Sequence, residues 1–169
     1  MVKRSYQQYC PLAQVLDLVG ERWTLLILRE LELGPRRFSD LQRGLPGVNP
    51  NLLSQRLQDL ETRDIIRRQP LHPPARGQAY ALTPNGEGLN GAMMPMAQWG
   101  MQFLRVPIPD DEFLGAITAV AALRHIYRPD LAPDESLAAE IHLEPDIFRL
   151  HVTATQIDIE QGFLPDAPL

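Results

Sequence analysis

The chain has 169 residues, 44% of them hydrophobic, which is enough for one domain, or for one domain and a fragment, with its own core. Its longest apolar runs, residues 25–28 and 119–123, are too short to cross a membrane, and the basic N-terminus lacks the apolar stretch of a signal peptide. The net charge is −5, and the single cysteine excludes an internal disulfide, so we expect a protein of the reducing cytoplasm.

Two helices are predicted at the start of the chain. The first carries apolar residues at helical spacing: Leu12, Val15, Leu16 and Val19. Gly20 stops that run, and a second apolar face extends from Trp23 to Leu31. Because Leu25 and Leu28 widen this face, we expect the second helix to be mostly buried and to end at Gly34 and Pro35.

A helix-turn-helix pattern follows. A short helix is predicted between Phe38 and Gly44, and residues 46–48 form a tight turn before the next helix. The arginines around the short helix, Arg36, Arg37 and Arg43, are predicted to meet a phosphate backbone.

The stretch 49–64 is predicted to be the second helix of this motif. Asn49 can cap its free N–H groups and Pro50 suits its first position, while Leu53, Leu57 and Leu60 form an apolar stripe. The opposite stripe holds amides and hydroxyls: Asn51, Ser54, Gln55, Gln58 and Thr62. Such groups can read base edges in a major groove, although an ordinary amphipathic surface helix is the alternative.

Arg56 lies at the flank of the leucine stripe. It could contact a phosphate, or it could pair with a carboxylate of Asp17, Asp40 or Asp59, and the sequence leaves this choice open.

A β-hairpin is predicted next. An apolar start at Ile65 and Ile66, a loop rich in proline and glycine, and a short strand at residues 79–83 give strand, turn and strand. A hairpin after a helix-turn-helix is a wing. Its arginines (Arg67, Arg68 and Arg76) suit phosphate or minor-groove contacts.

Thr83 and Pro84 are predicted to open a further helix that extends to about residue 104. Its apolar face comprises Leu89, Met93, Met96 and Phe103. Three glycines and Pro95 weaken it, so it needs packing from the rest of the chain or from a partner. A core helix and a dimer interface are about equally favoured.

The charge balance changes at residues 106–112, which we predict to be a linker. Residues 1–105 hold 13 Lys or Arg against 9 Asp or Glu, and residues 106–169 hold 3 against 12. Only the first part therefore suits a phosphate backbone. Beyond the linker, a helix is predicted over 113–127 and strands in 137–159, which makes the fold class mainly α with a small β content (α+β).

Residues 9–104 resemble the HxlR-type winged helix-turn-helix transcriptional regulators of bacteria, which are MarR-like. The most distinctive marks are Cys10-Pro11, Gly20 with Arg22-Trp23-Thr24, Phe38 with Leu41, Leu53 to Leu57, Tyr80 with Leu82-Thr83, Gly86 and Trp99-Gly100. The resemblance implies a homodimer, formed through the first and last helices of the module, that binds a palindromic operator in double-stranded DNA and in many members represses transcription. Residues 49–64 would enter the major groove, and the wing would touch the flanking backbone.

Segment 113–169 resembles the opening half of a sterol-carrier-protein-like domain, which implies a small apolar ligand. The alternative function is accordingly a small-molecule or lipid-binding sensor whose main partner is not DNA. Its strands would bury apolar side chains at alternate positions within 137–159.

Cys10 lies near a helix N-terminus, where a thiolate is stabilised, and several HxlR-type proteins sense oxidants at this position. A small apolar residue that fills space is the equally weighted alternative. The four histidines, His72, His125, His142 and His151, lack metal-ligand spacing, and no catalytic constellation is present. We therefore expect no metal, no cofactor and no enzyme activity.

Overall fold

The computed structural model describes residues 5–71, 77–132 and 136–162, without the side chain of His125. The described α-helices are α1 (Pro11–Val19), α2 (Thr24–Glu30), α3 (Phe38–Gly44), α4 (Pro50–Thr62), α5 (Pro84–Gly100) and α6 (Ala116–Ile126). The described strands are β1 (Ile66–Pro70), β2 (Gln78–Leu82), β3 (Leu137–Leu143), β4 (Asp146–Val152) and β5 (Ile157–Gln161). This mixture of helices and small sheets confirms the predicted α+β class.

The chain divides into two compact units, Met1–Gly91 and Ala92–Leu169, so that α5 begins in the first and ends in the second. The predicted linker, residues 106–112, contains neither helix nor strand. Among the described residues, no helix combines the length and the apolar character that a membrane span requires.

The first two helices are separated where predicted. Gly20 closes α1 by donating its N–H to the Leu16 carbonyl oxygen at 2.8 Å. A side chain at Gly20 would bring its Cβ within 2.5 Å of that same oxygen, so the tight closure requires glycine. Helix α2 ends earlier than expected, at Glu30, and turns lead from there to Gly34, whose φ of 136° favours glycine.

The helix-turn-helix motif contributes a large part of the core of the first unit. Five leucines there are no more than 1% exposed: Leu41, Leu45, Leu53, Leu57 and Leu60. Burying each side chain stabilises the fold by roughly 1.5–3 kcal/mol. Gly47, with a φ of 87°, supplies the turn between them.

The wing is an antiparallel hairpin in which Ile66 pairs with Leu82 and Arg68 pairs with Tyr80. A short bridge adds a third segment, because Arg36 and Tyr80 exchange backbone hydrogen bonds of 2.9 and 2.8 Å. The sequence did not predict this bridge.

Thr83 joins the base of the wing to α5. Its hydroxyl lies 2.6 Å from the Asp64 carbonyl oxygen and accepts the N–H of Gly86 at 3.1 Å, which confirms the predicted cap. A Cβ at Gly86 would lie 2.1 Å from the Ile65 carbonyl oxygen. The start of α5 can therefore approach the chain this closely only with glycine at that position.

The second unit packs α6 beside an antiparallel sheet with the order β3-β4-β5. Phe148 and Ile159 of the sheet and Ile117 and Val120 of the helix are at most 2% exposed. Helix α6 begins three residues later than predicted, because Gly115 is its N-cap and Phe113 is 59% exposed before it.

Candidate nucleic-acid interface

The N-terminus of α4 is built as the sequence predicts. The Asn49 side-chain oxygen accepts the backbone N–H of Asn51 at 2.8 Å, and Pro50 occupies the first turn. The backbone oxygen of Asn49 accepts the N–H of Leu53 at 2.9 Å. Asn49 therefore caps the N-terminus of α4 and marks where the helix begins.

The residues predicted to read bases share one exposed face of α4. Asn51, Ser54, Gln55 and Gln58 are exposed, and they lie on the side opposite the buried leucines. Thr62 is exposed as well, but its hydroxyl donates to the Gln58 carbonyl oxygen at 2.8 Å. The face thus presents amides and one hydroxyl on a helix about the width of a major groove.

Arg56 pairs with carboxylates of its own chain, which is the second of the two alternatives that the sequence left open. Its side chain is 13% exposed, with Nη2 3.0 Å from Glu21 and Nη1 3.4 Å from Asp59. Its Nε donates to the Arg22 carbonyl oxygen at 3.4 Å. Asp59 was among the predicted partners, whereas Glu21, which lies before α2, was not.

Arg36 was also expected at the phosphate backbone, and its burial contradicts that role. Its side chain is 2% exposed and lies 3.8 Å from the Glu30 carboxylate. The neighbouring Arg37 is exposed, and Arg43 is 46% exposed beside Asp40, at 3.1 Å. No sequence signal separates Arg36 from Arg37, and Arg36 is the one of the two that forms a backbone bridge with Tyr80.

The wing keeps part of its predicted positive charge on the surface. The Arg68 side chain is 48% exposed, lies 3.3 Å from Glu61 of α4, and stacks over the Tyr80 ring at 5.4 Å. Arg67 is exposed on the same strand. The predicted contact residue Arg76 lies outside the described residues.

Cys10 is the N-cap residue of α1, with an extended backbone and a half-buried side chain. It makes no side-chain cap hydrogen bond, and its carbonyl oxygen accepts the Gln14 N–H at 3.0 Å. This geometry is compatible with both of the predicted roles, so the redox role stays a prediction.

Comparison with known proteins agrees with this architecture. The model of the HxlR-like helix-turn-helix family matches residues 18–107. An uncharacterized HTH-type transcriptional regulator of Mycobacterium tuberculosis, MT3179, is 43% identical over 94 residues. That match covers 56% of this chain and 59% of the relative, so the chain spans little more than half the length of this relative.

Two further similarities extend the comparison. The uncharacterized HTH-type transcriptional regulator YtfH of Escherichia coli is 40% identical over 96 residues, which cover 56% of this chain and 75% of YtfH. The crystal structure of PA1607 is 31% identical with a TM-score of 0.53, over 64% of this chain and 73% of that chain. The family model ends at residue 107, and the likeness of the acidic segment to a sterol-carrier-protein-like domain stays a prediction. The exposed polar face on α4, the adjoining wing and these matches lead to one conclusion: the chain belongs to the HxlR-like helix-turn-helix family.

Proposed function

We propose that this protein is a sequence-specific DNA-binding regulator of transcription that acts as a homodimer on a palindromic operator. The observation that carries this proposal is the exposed row of Asn51, Ser54, Gln55 and Gln58 on α4. Good bidentate contacts of Asn or Gln with adenine discriminate against the wrong base by roughly 1–3 kcal/mol each. Arg37, Arg43, Arg67 and Arg68 supply cations around this row for phosphate contacts.

The homodimer is proposed from apolar surface that one chain leaves uncovered. In α1, Leu12 is 66% exposed and Leu16 is 40% exposed. Towards the end of α5, Met96 is 60% and Trp99 is 67% exposed, and in the following turn Phe103 is 64% exposed. Each of these two sets of exposed apolar residues, taken by itself, favours a protein interface. Two copies would place two α4 helices on successive major-groove half-sites, and a dimer covering a promoter would repress it.

The test of base reading is a binding assay with two duplexes. One is selected by the protein from fragments of its own genome, and the other is a shuffled sequence of equal length. Asn51→Ala and Gln55→Ala should each lower affinity for the selected duplex and leave affinity for the shuffled duplex nearly unchanged. Thr62→Ala is the matched control, since its hydroxyl is engaged within the helix. Equal losses on both duplexes would show that these residues do not read bases.

Phosphate contacts have a separate signature. The logarithm of the binding constant should fall with the logarithm of salt concentration at a slope near −0.9 per neutralised phosphate. Arg37→Gln should reduce that slope by about one contact. An unchanged slope would place Arg37 away from the DNA backbone.

The dimer is tested by sedimentation of the full chain. We expect a dimer for the native protein, and we expect Leu12→Glu to weaken it because a charge would be buried in the interface. A native protein that sediments as a monomer at every concentration would refute the proposed assembly.

Two controls of DNA binding remain proposals beside this function. Oxidation of Cys10 is proposed to change operator affinity, and Cys10→Ser should then abolish the response to a thiol oxidant. A small apolar ligand of the acidic segment is proposed as an effector, acting by linkage to DNA affinity. A thermal-shift screen with fatty acids of increasing chain length tests the second proposal, and no shift with any of them would count against it.

A further inference from the structure

A buried charge pair joins the end of α2 to the segment before α3. Glu30 ends α2, Arg36 precedes α3, and their side chains are 1% and 2% exposed. Arg29, whose side chain is half-buried, contacts the same carboxylate, with its Nη2 2.8 Å from Glu30 Oε1. Removing one member of a buried pair leaves an uncompensated buried charge, which destabilises the surrounding structure.

The Glu30 carboxylate also lies directly against the far end of α3. A Cβ built on Gly44 would be 2.1 Å from Glu30 Oε2 and 2.6 Å from its carboxyl carbon. Gly44 is the last residue of α3, and the turn that follows it leads to α4. One carboxylate therefore contacts both the segment before α3 and the residue that closes it.

The other end of the pair reaches the wing. Arg36 exchanges two backbone hydrogen bonds with Tyr80 of β2. Tyr80 is also connected to α4 through Arg68. Its ring lies under the Arg68 guanidinium, and Arg68 pairs with Glu61 of α4. The wing and α4 are thus connected by a buried path through Glu30 and by an exposed path through Arg68. In the exposed path, solvent and salt weaken the ion pair, whereas the buried path is shielded.

We propose that Glu30 and Arg36 are positioning residues that set the geometry between α4 and the wing, and thereby the discrimination of operator from other DNA. Neither side chain reaches DNA, because both are buried. The effect on discrimination between DNA sequences rests on the proposed DNA-binding function. The effect on the geometry between α4 and the wing can be measured without DNA.

The geometric test measures a distance within the full chain. Spin labels are placed at Gln58→Cys on α4 and Gln78→Cys on β2 in a Cys10→Ser background, and labelled protein is diluted with unlabelled protein so that only intrachain distances contribute. Glu30→Gln should shift or broaden the distance distribution. Glu87→Gln, an exposed acid of the same unit, is the matched control and should leave it unchanged.

A second variant separates position from stability. Replacing both members of a buried pair by apolar or neutral groups is often close to neutral for folding, so Glu30→Gln combined with Arg36→Met should recover most of the Tm lost in Glu30→Gln. The distance distribution should stay altered in this double variant. A purely structural role predicts instead that distance and Tm recover together, which would overturn the proposal.

The DNA readout is the ratio of affinities for a duplex selected from a random library and a shuffled duplex, measured below the melting onset of every variant. Glu30→Gln should lower this ratio roughly tenfold, about the loss of one base contact, and Glu87→Gln should not. The inference would be refuted if Glu30→Gln, alone and combined with Arg36→Met, showed the affinity ratio and the spin-label distance of the native protein. If the native protein selects no duplex, the proposed function fails, and the distance measurement alone still decides whether Glu30 positions α4.

Discussion

Substituting alanine for Gly44 tests whether the Glu30 carboxylate lies against this residue. In an open helical site, Gly→Ala stabilises a protein by roughly 0.5–1 kcal/mol, because glycine loses more backbone entropy on folding. At Gly44 the new Cβ would lie 2.1 Å from Glu30 Oε2, on a side chain that is 1% exposed and whose other oxygen, Oε1, lies 2.8 Å from Arg29 Nη2. Overpacking of this kind costs about 1–3 kcal/mol, so the clash outweighs the helical gain.

The expected net effect is a destabilisation of about 1–2 kcal/mol, which for a chain of this size lowers Tm by roughly 2–8 °C. Thermal unfolding followed by circular dichroism measures it. Gly88→Ala in α5 is the matched control, since no atom lies within 4 Å of the Cβ it would add. That control should melt at or slightly above the temperature of the native protein.

Shortening the acid gives a compensating variant. Glu30→Asp withdraws the carboxylate by one methylene and keeps its charge, so it should offset part of the cost of Gly44→Ala. The two substitutions in contact should therefore be non-additive. If Gly44→Ala melts no lower than Gly88→Ala, or if the two substitutions are simply additive, the Glu30 carboxylate does not lie against Gly44 in solution.

Three further outcomes follow from contacts described above. Asn49→Ala should cost about 1 kcal/mol by removing the cap of α4, whereas Asn49→Asp should cost little, and urea unfolding distinguishes the two. Thr83→Val should cost roughly 1–3 kcal/mol because the Gly86 N–H loses its acceptor, while Thr83→Ser keeps the hydroxyl and should remain near the native value. Arg128 donates to both carboxylate oxygens of Asp130 at 2.9 and 2.8 Å, which lowers the pKa of Asp130. The stabilisation from this pair is therefore present at neutral pH and is lost as the pH falls through the lowered pKa. An NMR titration should show the Asp130 pKa rising in Arg128→Gln, and an unchanged pKa would contradict the assignment.

The local elements of the DNA-binding unit could be predicted because each carries its own signal. Asn49 and Pro50 mark the start of α4, leucines at helical spacing mark its buried face, and the turn residues before β2 mark the hairpin. These signals act over a few residues, so a single sequence contains them in full.

The roles of the arginines could not be predicted in the same way. Arg36 and Arg37 are adjacent and chemically identical, yet one is 2% exposed and the other lies on the surface. Their difference arises from the bridge to Tyr80, which lies 44 positions further along the chain. The partner of Arg56 likewise depends on how the segment before α2 approaches α4. Long-range contacts of this type follow from the assembled fold, and one sequence holds no local mark of them.

The start of α6 was misplaced for a different reason. Phe113 fits the apolar spacing of the helix, but Gly115 adopts an extended conformation with a ψ of 155° and becomes the cap. Apolar spacing alone does not locate a helix terminus when an aromatic residue just before the helix happens to fit the same spacing.

In helix α4, the residues that stabilise the fold are different from the residues that we propose to select DNA. One set of residues provides its cap, its buried face and its ion pair with the segment before α2: Asn49, Leu53, Leu57, Leu60 and Arg56. The other set, Asn51, Ser54 and Gln58, lies on the exposed face of the helix and does not belong to its buried face. A lineage of such proteins could therefore exchange the outward residues and acquire a new operator at little thermodynamic cost. The same separation makes α4 a suitable helix for redesigning sequence preference while the scaffold stays intact.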